Sequence, residues 1–502
     1  MNTFPPDNSA PENSAPVGPA PDPRPSARPD EPPRRRGVVL VLLSVLQFLI
    51  VIDVTAVNVA LPAIGARFDA SPTELSWVVT GYTLVGGGLL LLGGRISDLL
   101  GRRRMFLVGT ALFALASLAA GLAPSLEVLV LARFGQGMGE ALASPAAMSL
   151  IALLYPEPAE RAKALGVWGA VSASGLAVGV LLSGVLTEYL HWRWIFGLNV
   201  PLALVVLLVT PLLVRPEGPM SGAWRRLDLP GAGLLTLGPL ALVFGILRTA
   251  DHGWTDATVA GPIAVGLLAL GTFVLLESRT AEPLVPLGFF AHRTRLLANA
   301  ATILLSAGLS TTFFLATLYM QEILGLSPME AGLAYLPFSA VIILSVTQVA
   351  RLIAVFGMKY TAILGLLCTA LGLGWLALLP VEGSLWTDVL PGMLLVGVGM
   401  GVGLVALQNA ALFEVTEEDA GVAAGVQRSV DQLGGSLGLA VLVGAAMAVE
   451  HADAEVGARV EGFRTAFRYA TAGVLVAAAG LWWAARDDRP GREARRKGAA
   501  EG

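Results

Sequence analysis

Apolar residues in this chain come in long runs, with neither a two-residue alternation nor a one-sided helical stripe. The first run begins at Val38, directly after Arg34-Arg35-Arg36, and continues past Val59. Similar runs then follow almost without pause, at 38–62, 75–94, 105–123, 127–154, 163–186, 194–214, 229–248, 257–277, 297–320, 331–354, 359–379, 388–412, 421–448 and 466–485. Each is long enough to cross ~30 Å of hydrocarbon at a rise of ~1.5 Å per residue. Helices that are apolar all round belong in lipid, so the pattern predicts an all-α integral membrane protein of fourteen spans. The connectors are too short to hold a soluble catalytic domain.

Composition agrees: 14% of residues are charged and 55% hydrophobic, against roughly 25% and 45–50% in soluble domains. The 58 glycines suit helices that approach closely in lipid. Residues 1–36 hold eleven prolines and few large apolar side chains, which predicts a disordered tail rather than a cleavable signal. Of the 33 Lys and Arg, 23 flank spans on one side, the side of the N-terminus, and six lie in the opposite loops. That bias places both termini in the cytoplasm. Trp77, Trp192, Trp194, Trp254 and Trp386 are expected at outer span ends, with Trp482 and Trp483 at an inner one. Cys368 is alone, and His191, His252, His292 and His451 lack metal-ligand spacing, so no metal, cofactor or catalytic centre is predicted.

Charges inside the spans are costly, about 2.5–3.5 kcal/mol each by insertion scales, and so point to function. Asp53 lies mid-way in the first span with Thr55 and Asn58 nearby, and Pro62 is expected to end that helix. In the fourth span Arg133 and Glu140 are seven residues apart, on one helix face; Gly135, Gly137 and Gly139 thin the helix between them. Asp53 and Glu140 are the leading protonatable candidates, each with an ion-paired structural role as the alternative, and Arg133 the partner that tunes one of them. The loop Gly94-Arg95-Ile96-Ser97-Asp98-Leu99-Leu100-Gly101-Arg102 reads as a conformational latch in which Asp98 pairs with Arg102 or caps a helix. Gly166, Gly175, Gly179 and Gly184 line the fifth span as packing positions. Arg428 and Asp431, at i and i+3 in the thirteenth, are expected to neutralise each other.

These segments together resemble the fourteen-span drug:proton antiporter family of the major facilitator superfamily. The resemblance rests on Asp53-x-Thr55-x-Val57-Asn58-x-Ala60-Leu61-Pro62, on Gly94 to Arg104 and on Arg133-x-x-Gln136-Gly137. Trp192-Arg193-Trp194 with Asn199-Val200-Pro201, and Gly325-Leu326-Ser327-Pro328, extend it. In the fifth-helix motif Val180 stands where the family has proline and Ser183 where it has glycine. The resemblance implies two six-helix bundles, at 37–215 and 297–486, with an inserted helix pair within 216–296 and a basic tail at 487–502. It implies proton-coupled export of drugs or other amphipathic small molecules, cations among them, across the cytoplasmic membrane, with Asp53, Glu140, Arg133, Thr55, Asn58 and Gln136 serving substrate and proton. The expected partners are a small-molecule substrate, protons and the lipid bilayer, with no nucleic acid and a monomeric state. Competing readings are an exporter or importer of a specific metabolite, a sensor that transports nothing, and a membrane-embedded enzyme, for which no residue cluster is found.

Overall fold

A computed structural model of the protein describes residues 33–215, 228–250, 252–280, 283–415, 420–449 and 456–484. Most of the proline-rich tail, the basic tail at 487–502 and residues 216–227 lie outside the described residues. The described chain is all-α. The helices are α1 (Pro33–Phe68), α2 (Pro72–Leu100), α3 (Arg102–Gly121), α4 (Leu126–Leu154), α5 (Pro158–Tyr189), α6 (Arg193–Gly197), α7 (Asn199–Leu213) and α8 (Leu229–Leu247). They continue as α9 (Ala257–Glu277), α10 (Arg293–Leu318), α11 (Pro328–Phe356), α12 (Met358–Leu376), α13 (Leu390–Ala411), α14 (Ala420–Met447) and α15 (Val456–Ala484).

Thirteen segments among the described residues are helical, long and apolar enough to span a membrane. The fourteenth expected span is the second half of α15, whose first half carries Arg459, Glu461, Arg464 and Arg468. The sixth span is two helices, α6 and α7, divided at Leu198. Helix α1 does not stop at Pro62 but runs through it to Phe68. A proline removes one backbone donor, and close packing of the flanking turns, with Leu61 and Ile64 fully buried, carries the helix across that gap.

α1 packs on α5 and α7, α4 on α2 and α3, while α10, α12, α13 and α15 pack among themselves. These groups meet along two seams, α2 with α14 and α5 with α11. The α8–α9 hairpin lies against the first seam, with Thr236 seated on Gly88 of α2 and Ile246 near Gly444 of α14. Each half contains a 29-residue helix built alike. α2 starts at a Ser71/Glu74 capping box followed by proline and stops at Gly101, φ 97°. α11 starts at Ser327/Glu330, also followed by proline, and stops at Gly357, φ 82°. The cap satisfies amides that the helix cannot, and the left-handed glycine permits the sharp reversal into the next helix.

One expected lipid-belt tryptophan is a core residue. Trp192 is buried and stacks edge-on with Phe68 and Phe196, whereas Trp194, Trp254, Trp386, Trp482 and Trp483 are exposed.

Candidate functional site

Asp53 projects from α1 into the first bundle and is completely buried. Its Oδ2 pairs with Arg133 Nη1 of α4. Its Oδ1 accepts from Gln136 Nε2 and from Asn199 Nδ2 of α7, each at 2.8 Å. Arg133 Nε donates to the Val78 carbonyl of α2 at 2.8 Å, and its guanidinium lies 4.4 Å over the Tyr82 ring. Gln136 also donates to Ser117 of α3 at 2.8 Å. The network ties five helices together and leaves both Asp53 oxygens satisfied, the condition under which a buried ion pair is tolerable. Of the two carboxyls that Arg133 was expected to tune, it pairs with Asp53, and these bonds suit the structural role that was the alternative reading of Asp53.

Glu140 turns outward toward the second half. It is 1% exposed, and its Oε1 accepts from Gln432 Nε2 at 3.0 Å and from Arg428 Nη2 at 3.4 Å, both on α14. The Tyr82 hydroxyl lies beside it, a donor within reach of the carboxyl. Arg428 and Asp431 therefore do not pair as the spacing suggested: Arg428 reaches Glu140, and Asp431 accepts from Ser306 of α10. Close approach of the helices makes this possible. A Cβ on Gly137 would lie 2.4 Å from the Tyr82 carbonyl, and one on Gly139 2.7 Å from Phe113 N.

A cavity of about 720 Å³ lies between the halves, a volume typical of small-molecule sites. Gln432, Arg428 and Asp431 lie in its wall, and Gly94, Arg95 and Asp98 stand at its mouth with Leu412 and Gly421. At the opposite end the halves are closed. Gln321, in a π-helical turn after α10, donates to the Val59 carbonyl at 2.8 Å. Glu188 of α5 accepts from Met329 N at the start of α11, also at 2.8 Å.

The remaining expected residues have plainer places. Thr55 and Asn58 bond carbonyls of their own helix, at Val51 and Val54. A Cβ on Gly179 would meet Thr55 Oγ1 at 2.0 Å and one on Gly175 would meet Val51 at 3.0 Å, so both set the α1–α5 spacing. Gly184 packs on Pro328 across the α5–α11 seam, while nothing lies within 4 Å of a Cβ on Gly166. α5 runs unbroken past Val180, and Ser183 bonds the Ala56 carbonyl. In the latch segment Asp98 pairs with Arg102 at 3.2 Å, on one helix-turn-helix corner, and Arg95 reaches the Pro283 carbonyl beyond the hairpin.

Sequence reasoning missed Ser117, Asn199, Tyr82 and Gln432. The usable signal for Gln432 was the polar stripe Arg428, Asp431, Gln432, Ser436, with helical spacing on one face. Ser117 and Tyr82 carry no comparable local signal.

With this geometry in view, the chain was compared with known proteins. The family model of the Major Facilitator Superfamily matches residues 43–439. The chain is 52% identical, over 82% of its length and 84% of the relative's, to a lincomycin resistance protein of Streptomyces lincolnensis. It is 41% identical, over 92% and 94%, to a puromycin resistance protein of Streptomyces alboniger. In fold it is similar, with TM-score 0.65 at 17% identity over 90% of this chain and 97% of the other, to a bacterial homologue of the lysosomal transporter Spinster in an inward-facing, unoccupied conformation.

Proposed function

This chain belongs to the Major Facilitator Superfamily, and from that premise we propose that it exports antibiotic-like small molecules across the cell membrane in exchange for protons. The observation that carries the reading is Glu140. It is a buried carboxyl of the first half, held by Gln432 and Arg428 of the second, two residues that line the cavity between the halves. A charge change on Glu140 alters bonds between the halves, and so biases which end is open. The arginine-rich end, where the cavity opens, is cytoplasmic by the positive-inside bias, with both termini on that side. The conformation is therefore the one that loads substrate from the cell interior. A proton gradient supplies the energy, the chain works as a monomer, and no cofactor takes part.

Resistance to lincomycin and to puromycin, named for the relatives, supports organic amines rich in hydroxyl and amide groups as substrates. The cavity wall suits them. Gln47, Gln408, Gln427 and Gln432 supply amides and Ser144 a hydroxyl, with Trp168 the one aromatic side chain. Flat hydrophobic cations would find little to stack on there.

The test uses everted vesicles carrying a pH-sensitive dye, energised by respiration and challenged with lincomycin, puromycin and a neutral control. Drug-triggered proton efflux in vesicles holding the protein, absent with Glu140→Gln, is expected. No proton movement with either drug, while labelled drug still accumulates, would overturn antiport.

A further inference from the structure

A carboxyl group and a primary amide present matching edges, two heteroatoms on one planar carbon. Glu140 and Gln432 meet across the two halves. One side of the match is made: Gln432 Nε2 donates to Glu140 Oε1 at 3.0 Å. The other side is not. Glu140 Oε2 and Gln432 Oε1 are both buried and both lack a hydrogen-bond partner. They border one spot, 3.3 and 3.1 Å from where a Cβ on Gly86 would lie. An ionised carboxylate and an amide oxygen are acceptors only, so two orphaned acceptors flanking one small space lack a hydrogen between them.

We propose that Gln432 reads the protonation state of Glu140: a proton on Glu140 Oε2 is donated to Gln432 Oε1, completing a two-bond ring that clasps the halves in the cavity-open conformation. The inference rests on the reading of Glu140 as the coupling carboxyl. Loss of the proton sets acceptor against acceptor and opens the ring. Arg428, already 3.4 Å from Glu140 Oε1, then holds the charged carboxylate alone. The sign suits an exporter. A proton taken up from outside favours the conformation that loads drug from inside, and its release to the cytoplasm frees the halves to turn back.

The groups facing Glu140 fit this division of labour. From α2 comes the Tyr82 hydroxyl, which can donate to the lone pair of the carboxyl that does not face Gln432. On α4 itself, Arg133 is spent on Asp53 of α1. On α14, Asp431 is occupied by Ser306 of α10, which leaves Arg428 and Gln432 as the responders. Gly86 matters because it has no side chain: a methyl group there fills the spot the hydrogen bond must cross.

The test places one spin label on each half of the full-length protein, through Arg104→Cys in the first turn of α3 and Leu412→Cys in the cavity wall, in a Cys368→Ser background. The inter-label distance distribution in nanodiscs is then followed from about pH 5 to about pH 9. Wild type is expected to lose the cavity-open population as pH rises. Glu140→Gln, whose amide supplies the missing hydrogen at every pH, stays open throughout. Gln432→Leu and Gly86→Ala lose the pH response, and the double variant Glu140→Gln/Gln432→Leu loses the lock. Because Gly86→Ala reaches the same spot with Gln432 itself unchanged, misfolding of either variant leaves the other decisive. A wild-type pH response in Gln432→Leu or Gly86→Ala, or a double variant that stays locked, overturns the proton-reading pair. A wild-type response in Glu140→Gln overturns instead the role of Glu140 itself.

Discussion

Replacing Arg133 with methionine tests the claim that the Asp53 network is a tie between helices. The substitution keeps most of the side-chain volume and removes the charge. Asp53 Oδ2 is then left as a buried anion, and the Val78 carbonyl and Gln136 Oε1 each lose a donor. Breaking a buried pair from one side costs about 3–5 kcal/mol, most of it from the stranded charge. Asp53→Leu strands Arg133 and is expected to cost about as much. The double variant strands no charge; Gln136 and Asn199 lose the Asp53 acceptor and keep only Ser117 Oγ, a loss of about 1–3 kcal/mol. The two substitutions should therefore be non-additive by at least ~2 kcal/mol. Equilibrium unfolding by SDS titration of the purified protein in mixed micelles measures all four corners of the cycle. Additive losses, or singles that cost under ~1 kcal/mol, would refute the tie and return Asp53 to the transport chemistry.

Other expectations follow from the same coordinates. Gly179→Ala should lower thermal stability in detergent, because its Cβ meets Thr55 Oγ1 at 2.0 Å, while Gly166→Ala should be silent; overpacking of this kind costs about 1–3 kcal/mol. Glu188→Ala removes the acceptor for Met329 N at the closed end. It should raise the rate at which a cysteine placed there reacts with a membrane-impermeant maleimide, and an unchanged rate would mean that this bond does not hold the end shut. The Asp256 carboxyl, at the start of α9, is held below its ordinary range first by the Thr258 hydroxyl and then by the Thr258 amide. Its capping contribution is therefore full above the unfolded value of about 4 and fades as pH falls through the lower folded value. The protection factor of the Thr258 amide, its exchange rate relative to the intrinsic rate at each pH, should fall on acidification in wild type and not in Asp256→Asn.

The spans were legible because an apolar run of about 20 residues has little alternative to a membrane helix. What escaped was set by packing between distant segments. Pro62 reads as a stop, yet the neighbouring helices hold α1 straight through it to Phe68. Trp192 reads as a belt residue, yet the break at Leu198 folds α6 so that the indole packs on Phe68 and Phe196. The charged candidates were visible, since a charge in an apolar run stands out, but their pairing was not. Arg133 shares a helix face with Glu140, and only the approach of α1 decides that it pairs with Asp53 instead. Arg428 likewise sits one turn from Asp431 and reaches across the halves to Glu140. Neutral partners such as Asn199, Ser117 and Gln432 are ordinary residues until the fold brings them to a carboxylate.

The central claim, that Glu140 exchanges a proton for substrate, is tested most directly by proton release from the purified protein. Lincomycin or puromycin is added to the protein in weakly buffered detergent, and released protons are counted with a pH indicator while binding is followed by tryptophan fluorescence. Wild type should release protons as drug binds, and Asp53→Asn, where it folds, should do the same. Glu140→Gln should bind without release. Release from Glu140→Gln equal to that of wild type would contradict the account.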